Sequence, residues 1–143
     1  MLLIDPIIRK KMIEDAVGAF PDECCGFFFG KEEKDGTRFI SGILVVDNSK
    51  QGDKTRRFEI SAADYMRAEQ YALDKDTTLL GVYHSHPNHP AIPSEHDRVA
   101  AQPWFSYVII SVLNNEIITL RSWVLNEEQQ FEEEKISDYQ FTG

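Results

Sequence analysis

The chain has 143 residues, 42% hydrophobic and 27% charged, which suits one globular domain with its own core and argues against disorder. With 15 basic and 24 acidic residues the net charge is −9, which argues against nucleic acid as the main partner because phosphates need a cationic face. The two cysteines, Cys24 and Cys25, are adjacent, and a bridge between neighbours is strained; no disulfide framework is expected, and the chain reads as cytoplasmic. The apolar start at 1–4 is too short for a signal peptide and no run approaches membrane-spanning length, so no membrane partner is expected.

Asp5 followed by Pro6 is a cap and first-position signal for a helix, and Ile8, Met12, Ala16 and Val17 recur at helical spacing up to Phe20-Pro21. Cys24 to Gly30 is an apolar run too short for a helix and reads as a buried strand. Lys34-Asp35-Gly36-Thr37 turns it into a second strand, Arg38 to Val46. A polar loop, Asn48 to Lys54, leads to a short alternating strand at Arg57 to Ile60. Ser61 with Asp64 is a capping-box-like helix start, and that helix runs to about Lys75.

Thr78 to His84 reads as a strand, and Pro87 to Pro93, with three prolines, as an ordered loop. Ser94 with Asp97 begins another helix, ended by Pro103; Tyr107 to Leu113 and Glu116 to Val124 form a hairpin across Asn114-Asn115. From about 126 an acidic segment, with Glu127, Glu128 and Glu132 to Glu134, reads as a solvated helix face or tail. No repeat or domain boundary interrupts 1–143, so the expected fold is α+β, a mixed and mostly antiparallel sheet flanked by helices.

The chemistry concentrates in His84, His86, Ser94 and Asp97, a His-x-His-x7-Ser-x2-Asp pattern. Alternate strand residues face the same way, so both imidazoles can address one metal, and Asp97 on the next helix start can return to it. Two histidines and a carboxylate make a three-ligand set for zinc with a fourth position open, the arrangement of catalytic rather than structural zinc. Such an ion lowers the pKa of water to about 7 and makes a nucleophile at neutral pH.

The reaction then needs a general base and a donor for the developing oxyanion. Ser94 is the natural donor candidate. Glu23, beside the buried strand, is the best candidate base; Glu59 and Glu95 are less attractive. Each residue also has a plainer role open to it: surface histidines on an edge strand, a helix cap and its partner for Ser94 and Asp97, a solvated turn for Glu23. His89 and His96 read as rim residues, Cys24 and Cys25 as packed thiols, and Trp104 and Trp123 as core or sheet-face aromatics.

His84-Ser85-His86-Pro87 with Ser94 and Asp97 at those distances, and Pro21-Asp22-Glu23-Cys24-Cys25-Gly26 upstream, resembles the JAMM metalloprotease motif of MPN-plus domains. The resemblance runs from the first helix through Val124 and implies the MPN fold, which is cytidine-deaminase-like. It implies that His84, His86 and Asp97 bind Zn2+, that Glu23 is general base and acid, and that Ser94 stabilises the tetrahedral intermediate. It also implies hydrolysis of an amide or isopeptide bond after the Gly-Gly tail of a ubiquitin-like or sulfur-carrier protein. The chain is too compact for the large insertions of ubiquitin-chain-specific members. Two other readings stay open: a zinc-stabilised MPN module that binds a protein partner without cutting it, and a DNA-repair-associated group with similar His-x-His spacing, against which the acidic composition counts. The oligomeric state is open, a homodimer included.

Overall fold

The computed structural model describes residues 1–55, 57–114 and 116–138. The elements are β1 (Leu2–Ile4), α1 (Pro6–Ala19), β2 (Cys25–Glu32), β3 (Arg38–Val46), α2 (Ala62–Asp74), β4 (Thr78–Pro87), α3 (Glu95–Ala100), β5 (Ser106–Leu113), β6 (Ile117–Leu125), β7 (Phe131–Glu134) and β8 (Ile136–Asp138). The strands form one mixed sheet in the order β7-β6-β5-β4-β2-β3-β1-β8. Pairs β2/β3, β2/β4, β5/β6 and β6/β7 are antiparallel, whereas β4/β5, β1/β3 and β1/β8 are parallel. The expected α+β class, mixed and mostly antiparallel, is the one observed.

The strands at the two ends of this order, β7 and β8, are separated in sequence by Lys135 alone. The sheet therefore has to curl until its edges approach, and the Lys135 carbonyl, where the chain passes from β7 to β8, accepts from Leu2 N–H of β1 at 2.8 Å. Curling buries α1 against one face. Asp5 caps this helix, its carboxylate accepting from Ile7 N–H at 2.8 Å, and Ile8, Met12 and Ala16 face Phe28, Tyr83, Val108 and Ile110. The opposite face, with Cys25, Phe27, Phe29 and Val82, is covered by Ala68 and Ala72 of α2. Both faces of β2, β4 and β5 are thus buried, which is why these strands read as continuous apolar runs.

Four sequence expectations change. Arg57 to Ile60 joins no ladder; it is tied instead to the Asn48–Ser49 segment, Ser49 N–H donating to Glu59 C=O at 2.9 Å. The acidic segment from about 126 is not a helix face or tail over its described part but supplies β7 and β8, because its alternating residues can zip both sheet edges. Strand β4 continues past His84 to Pro87. Trp104 is 45% exposed and lies over the Arg38 guanidinium at 4.0 Å rather than in the core. In the β5–β6 turn Asn114 adopts φ 51°, while Asn115 and 139–143 lie outside the described residues. Among the described residues no helix is long and apolar enough to cross a membrane.

Gly81 sits where β4 meets the start of β5: a Cβ there would lie 1.8 Å from Ser106 O and 2.6 Å from Phe28 Cζ. Gly42, by contrast, has nothing within 4 Å of such a Cβ. Gly81→Ala is expected to destabilise by about 2 kcal/mol or more through forced backbone movement, and Gly42→Ala to stay within about 0.5 kcal/mol of the parent. Urea unfolding of the two variants side by side checks this, and equal midpoints would refute the close approach.

Candidate metal centre

Strand β2 runs antiparallel to β4 with Cys25 opposite His84, so the residues just before β2 lie beside the C-terminal end of β4. Ser85 N–H donates to Cys24 C=O at 3.2 Å, and Cys24 N–H donates to Ser85 Oγ at 2.8 Å. Continuing that register by parity puts Glu23 next to His86 and on the same face as His84. The ligating atoms of Glu23, His84 and His86 all lie within 4.8 Å of one another.

The third contributor arrives by a short loop and a cap. Pro87 leads into 88–93, which is pinned by Asn88 N–H to Val112 C=O at 2.8 Å, Ser111 Oγ to His89 C=O at 2.5 Å and Trp123 Nε1 to Ala91 C=O at 3.0 Å. Ser94 then caps α3: Asp97 N–H donates to Ser94 Oγ at 3.0 Å, and Ser94 N–H donates to Asp97 Oδ2 at 2.9 Å. The box holds the Asp97 carboxylate against the imidazoles, Oδ2 lying 3.3 Å from His84 Nε2 and 3.2 Å from His86 Nε2. The two Nε2 atoms are 3.1 Å apart.

These three spacings test the fit of a metal. Tetrahedral zinc with bonds of about 2.05 Å separates its ligands by roughly 3.3 Å. The observed triangle of 3.1–3.3 Å matches that edge length. His86 Nδ1 lies 2.9 Å from Pro90 C=O, so Nδ1 carries the proton and the Nε2 lone pair faces the triangle. His84 is fully enclosed, its ring stacked on Phe58 at 4.4 Å, and its Nδ1 has no hydrogen-bond partner among the described residues. His86 Nε2 and Asp97 Oδ2, 3.2 Å apart, suit either a shared proton or a cation between them, and His84 Nδ1 is the buried polar atom left unsatisfied among the described residues.

Electrostatics agree with that reading. Burial depresses the His84 pKa, and the neighbouring Asp97 carboxylate opposes that shift. Burial alone would raise Asp97, but His84, His86 and the Ser94 N–H outweigh it and hold the carboxyl well below the usual range. Burial raises Glu23 to about 8; His86 opposes the shift, while Asp97 and Asp53 add to it. No described residue hydrogen-bonds the Glu23 carboxylate, so it remains available to water. Both cysteines are free and buried, and burial lifts Cys25 to about 12 and Cys24 higher still, which leaves them as packed thiols.

The centre lies between two grooves. One, of about 360 Å3, is lined by Phe58, Ile60, Tyr65, Tyr107, His84 and Asp97 among others, with His96 at its rim. The other, of about 500 Å3, is lined by Glu23, His86, His89, Pro90, Ile92 and Ser94. Glu59 pairs with Lys50 at 3.2 Å and Glu95 with Arg98, so neither approaches the triangle as Glu23 does. Sequence reasoning missed Ser85, Asn48 and Phe58. Ser85 was signalled by its place between the two histidines, whereas the contacts of Asn48 and Phe58 depend on chain segments brought together by folding.

The raised Glu23 pKa has a consequence for metal-free protein. A carboxyl shifted upward in the folded state, from 4.5 to about 8, adds stability that is complete below the unfolded value and lost as pH rises through the folded one. Glu23→Gln is neutral at every pH, so its stability relative to wild type should rise across that window, by on the order of 2–4 kcal/mol. Thermal melts of both metal-free proteins between about pH 4 and 9 check this. Curves that keep a constant separation would contradict the burial argument.

Comparison with known proteins places this geometry in a family. Residues 6–126 match the model for prokaryotic homologs of the JAB domain. A curated relative from Pyrococcus furiosus, a desampylase, is 30% identical over 135 residues, covering 94% of this chain and 89% of its own. A CysO-cysteine peptidase from Mycobacterium tuberculosis is 25% identical over 124 residues, covering 86% and 82%. Among solved structures, a Desulfitobacterium hafniense protein superposes with a TM-score of 0.87 at 26% identity, over 99% of this chain and 94% of the other. A JAB1/MPN domain protein from Archaeoglobus fulgidus shares the fold with a TM-score of 0.57 at 15% identity, over 98% of each chain. With the fold, the clustered Glu23, His84 and His86, and a family match over most of its length, this chain belongs to the prokaryotic homologs of the JAB domain, the JAMM-type group.

Proposed function

We propose that this protein is a zinc-dependent peptidase that hydrolyses the amide bond following the Gly-Gly tail of a ubiquitin-like or sulfur-carrier protein. The observation that carries the reading is the 3.1–3.3 Å triangle of His84 Nε2, His86 Nε2 and Asp97 Oδ2 beside the free carboxylate of Glu23. The names of the two curated relatives, a desampylase and a peptidase of CysO-cysteine, support the substrate class.

In this reading His84, His86 and Asp97 hold the ion, leaving one position open. When bound, zinc supplies Lewis acidity that makes water acidic enough to react near neutral pH. Glu23 takes the proton from the attacking water and returns it to the leaving amine, a task suited to a buried carboxylate that no described side chain hydrogen-bonds and that lines the groove beside His86. Ser94 donates to the developing oxyanion. Its cap uses Oγ as acceptor, and the hydroxyl proton stays free to point into the groove shared with Glu23. Structural and chemical roles for Ser94 therefore coexist.

Proton return places the leaving group in the Glu23 groove and the acyl tail in the groove lined by Phe58, Ile60, Tyr65 and Tyr107. There the backbone N–H and C=O groups of Phe58 and Ile60 have no partner among the described residues, so an extended peptide can pair with them. Two consecutive glycines present backbone alone to such an edge and pass beside His84 where side chains would collide.

The expected kinetics separate the roles. Glu23→Gln should keep one zinc per chain yet lose about 10²–10⁴ in turnover. Ser94→Ala should keep zinc, lose about 10²–10³ in turnover, and melt lower by the equivalent of about 1 kcal/mol for the lost cap. His84→Ala should lose both zinc and activity. Zinc titration and product mass spectrometry with tail-extended carrier proteins read these outcomes. A Glu23→Gln variant as competent as wild type would leave a binding module as the better description.

Tail selectivity is a separate expectation: replacing Gly-Gly by bulky residues should reduce kcat/KM by about 10²-fold, the cost of misplacing the scissile bond. Equal cleavage of both tails would rule out the narrow passage.

A further inference from the structure

We propose that Asn48 is a positioning residue that holds the Glu23 carboxylate and the tail-receiving edge in one frame; the proposal rests on the peptidase reading above. Glu23 is 4% exposed, yet no described side chain hydrogen-bonds its carboxylate. Its aim is therefore set by its backbone, and that backbone is tied on both sides. Glu23 N–H donates to Lys54 C=O at 2.7 Å, and Glu23 C=O accepts from Asn48 Nδ2 at 3.1 Å.

The same amide serves three other groups. Asn48 Nδ2 also donates to Arg57 C=O at 3.1 Å, while Oδ1 accepts from Lys50 N–H at 3.0 Å and Glu59 N–H at 3.1 Å. A carboxamide has two N–H donors and two carbonyl lone pairs, and all four are used. Three segments meet on one side chain: the approach to β2, the loop after β3, and the extended 57–60 segment.

The bonds to Arg57 and Glu59 consume the backbone groups on one side of that extended segment. In extended chain the groups of the intervening residues point the opposite way, so Phe58 and Ile60 are turned toward the groove. One amide thus sets the distance between the base and the edge that receives the tail. Asp cannot replace it, because an added carboxylate oxygen would face the Glu23 and Arg57 carbonyls with no proton to share.

The test compares Asn48→Asp, Asn48→Ala and the control Lys50→Ala, which removes only the Lys50–Glu59 ion pair at 3.2 Å. At equal zinc content and well below the melting temperature, both Asn48 variants should lose about 10–100-fold in kcat. Asn48→Ala should also raise KM for a tail-bearing carrier roughly fivefold, since the edge is no longer held, while Lys50→Ala stays within about twofold of wild type. A lower melting temperature with kcat and KM both within about twofold would overturn the proposal, because a merely structural residue behaves that way.

Amide hydrogen exchange of the metal-free proteins supplies a readout independent of catalysis. In Asn48→Ala the Lys50 and Glu59 amides should exchange at least about tenfold faster, with Val108 and Ile109 in β5 unchanged. No acceleration at those two amides would sink the hub. Should wild-type protein cleave no tail-bearing carrier, the peptidase reading fails while the exchange data still decide whether Asn48 frames Glu23.

Discussion

The antiparallel seam between the start of β2 and the end of β4 is the constraint on which the site depends. A single register, Cys25 opposite His84, fixes which face Glu23 occupies. A slip of one residue would send Glu23 to the α1 side of the sheet, away from His84 and His86. Ser85 guards that register with both its backbone N–H and its hydroxyl, the two contacts to Cys24 lying at 3.2 and 2.8 Å. It occupies the β4 position between the two histidines, so the residue facing away from the site locks the strand that carries it.

Burial acts against stability at the centre, and at Asp97 and His86 their mutual contacts offset it. Two imidazoles and two carboxylates are buried together, and burial works against the charged form of each. The surrounding sheet over-determines the arrangement: both faces of β4 are covered, one by the α1 cluster and the other by the α2 cluster.

A small domain economises by giving side chains two tasks. The Ser94–Asp97 capping box satisfies orphan N–H groups of a six-residue helix and also holds the Asp97 carboxylate against the two imidazoles. Tyr83 fills the α1 face and donates to Asp15 at 2.8 Å, while Gly81 on the same strand lets β5 pack close. The acidic C-terminal strands close both edges of the sheet, where their charges face solvent and discourage pairing with a further chain.

How much was legible follows from the range of the interactions. Helical spacing in Ile8, Met12 and Ala16, the Asp5 and Ser61 caps, and the turn at 34–37 are local signals, and each element formed where they pointed. His84 and His86 on one strand face also follow from local periodicity. The strands β1, β7 and β8 were not legible: they are three or four residues long and exist only because distant edges were left open for them. Arg57 to Ile60 alternates like a strand, yet its ladder partner is absent because Asn48 takes its hydrogen bonds.

The sequence by itself determined the three helices, the strands β2 to β6, the spacing of His84, His86, Ser94 and Asp97, and the choice of Glu23 over Glu59 and Glu95 as candidate base. Only the tertiary structure decided that Glu23 reaches the triangle and that Asn48 joins three segments. The contacts of Cys24 with Ser85 and of Asn48 with Glu23 and Glu59 span from about ten to more than sixty residues, and such separations are set by how the sheet closes rather than by any local preference of the chain.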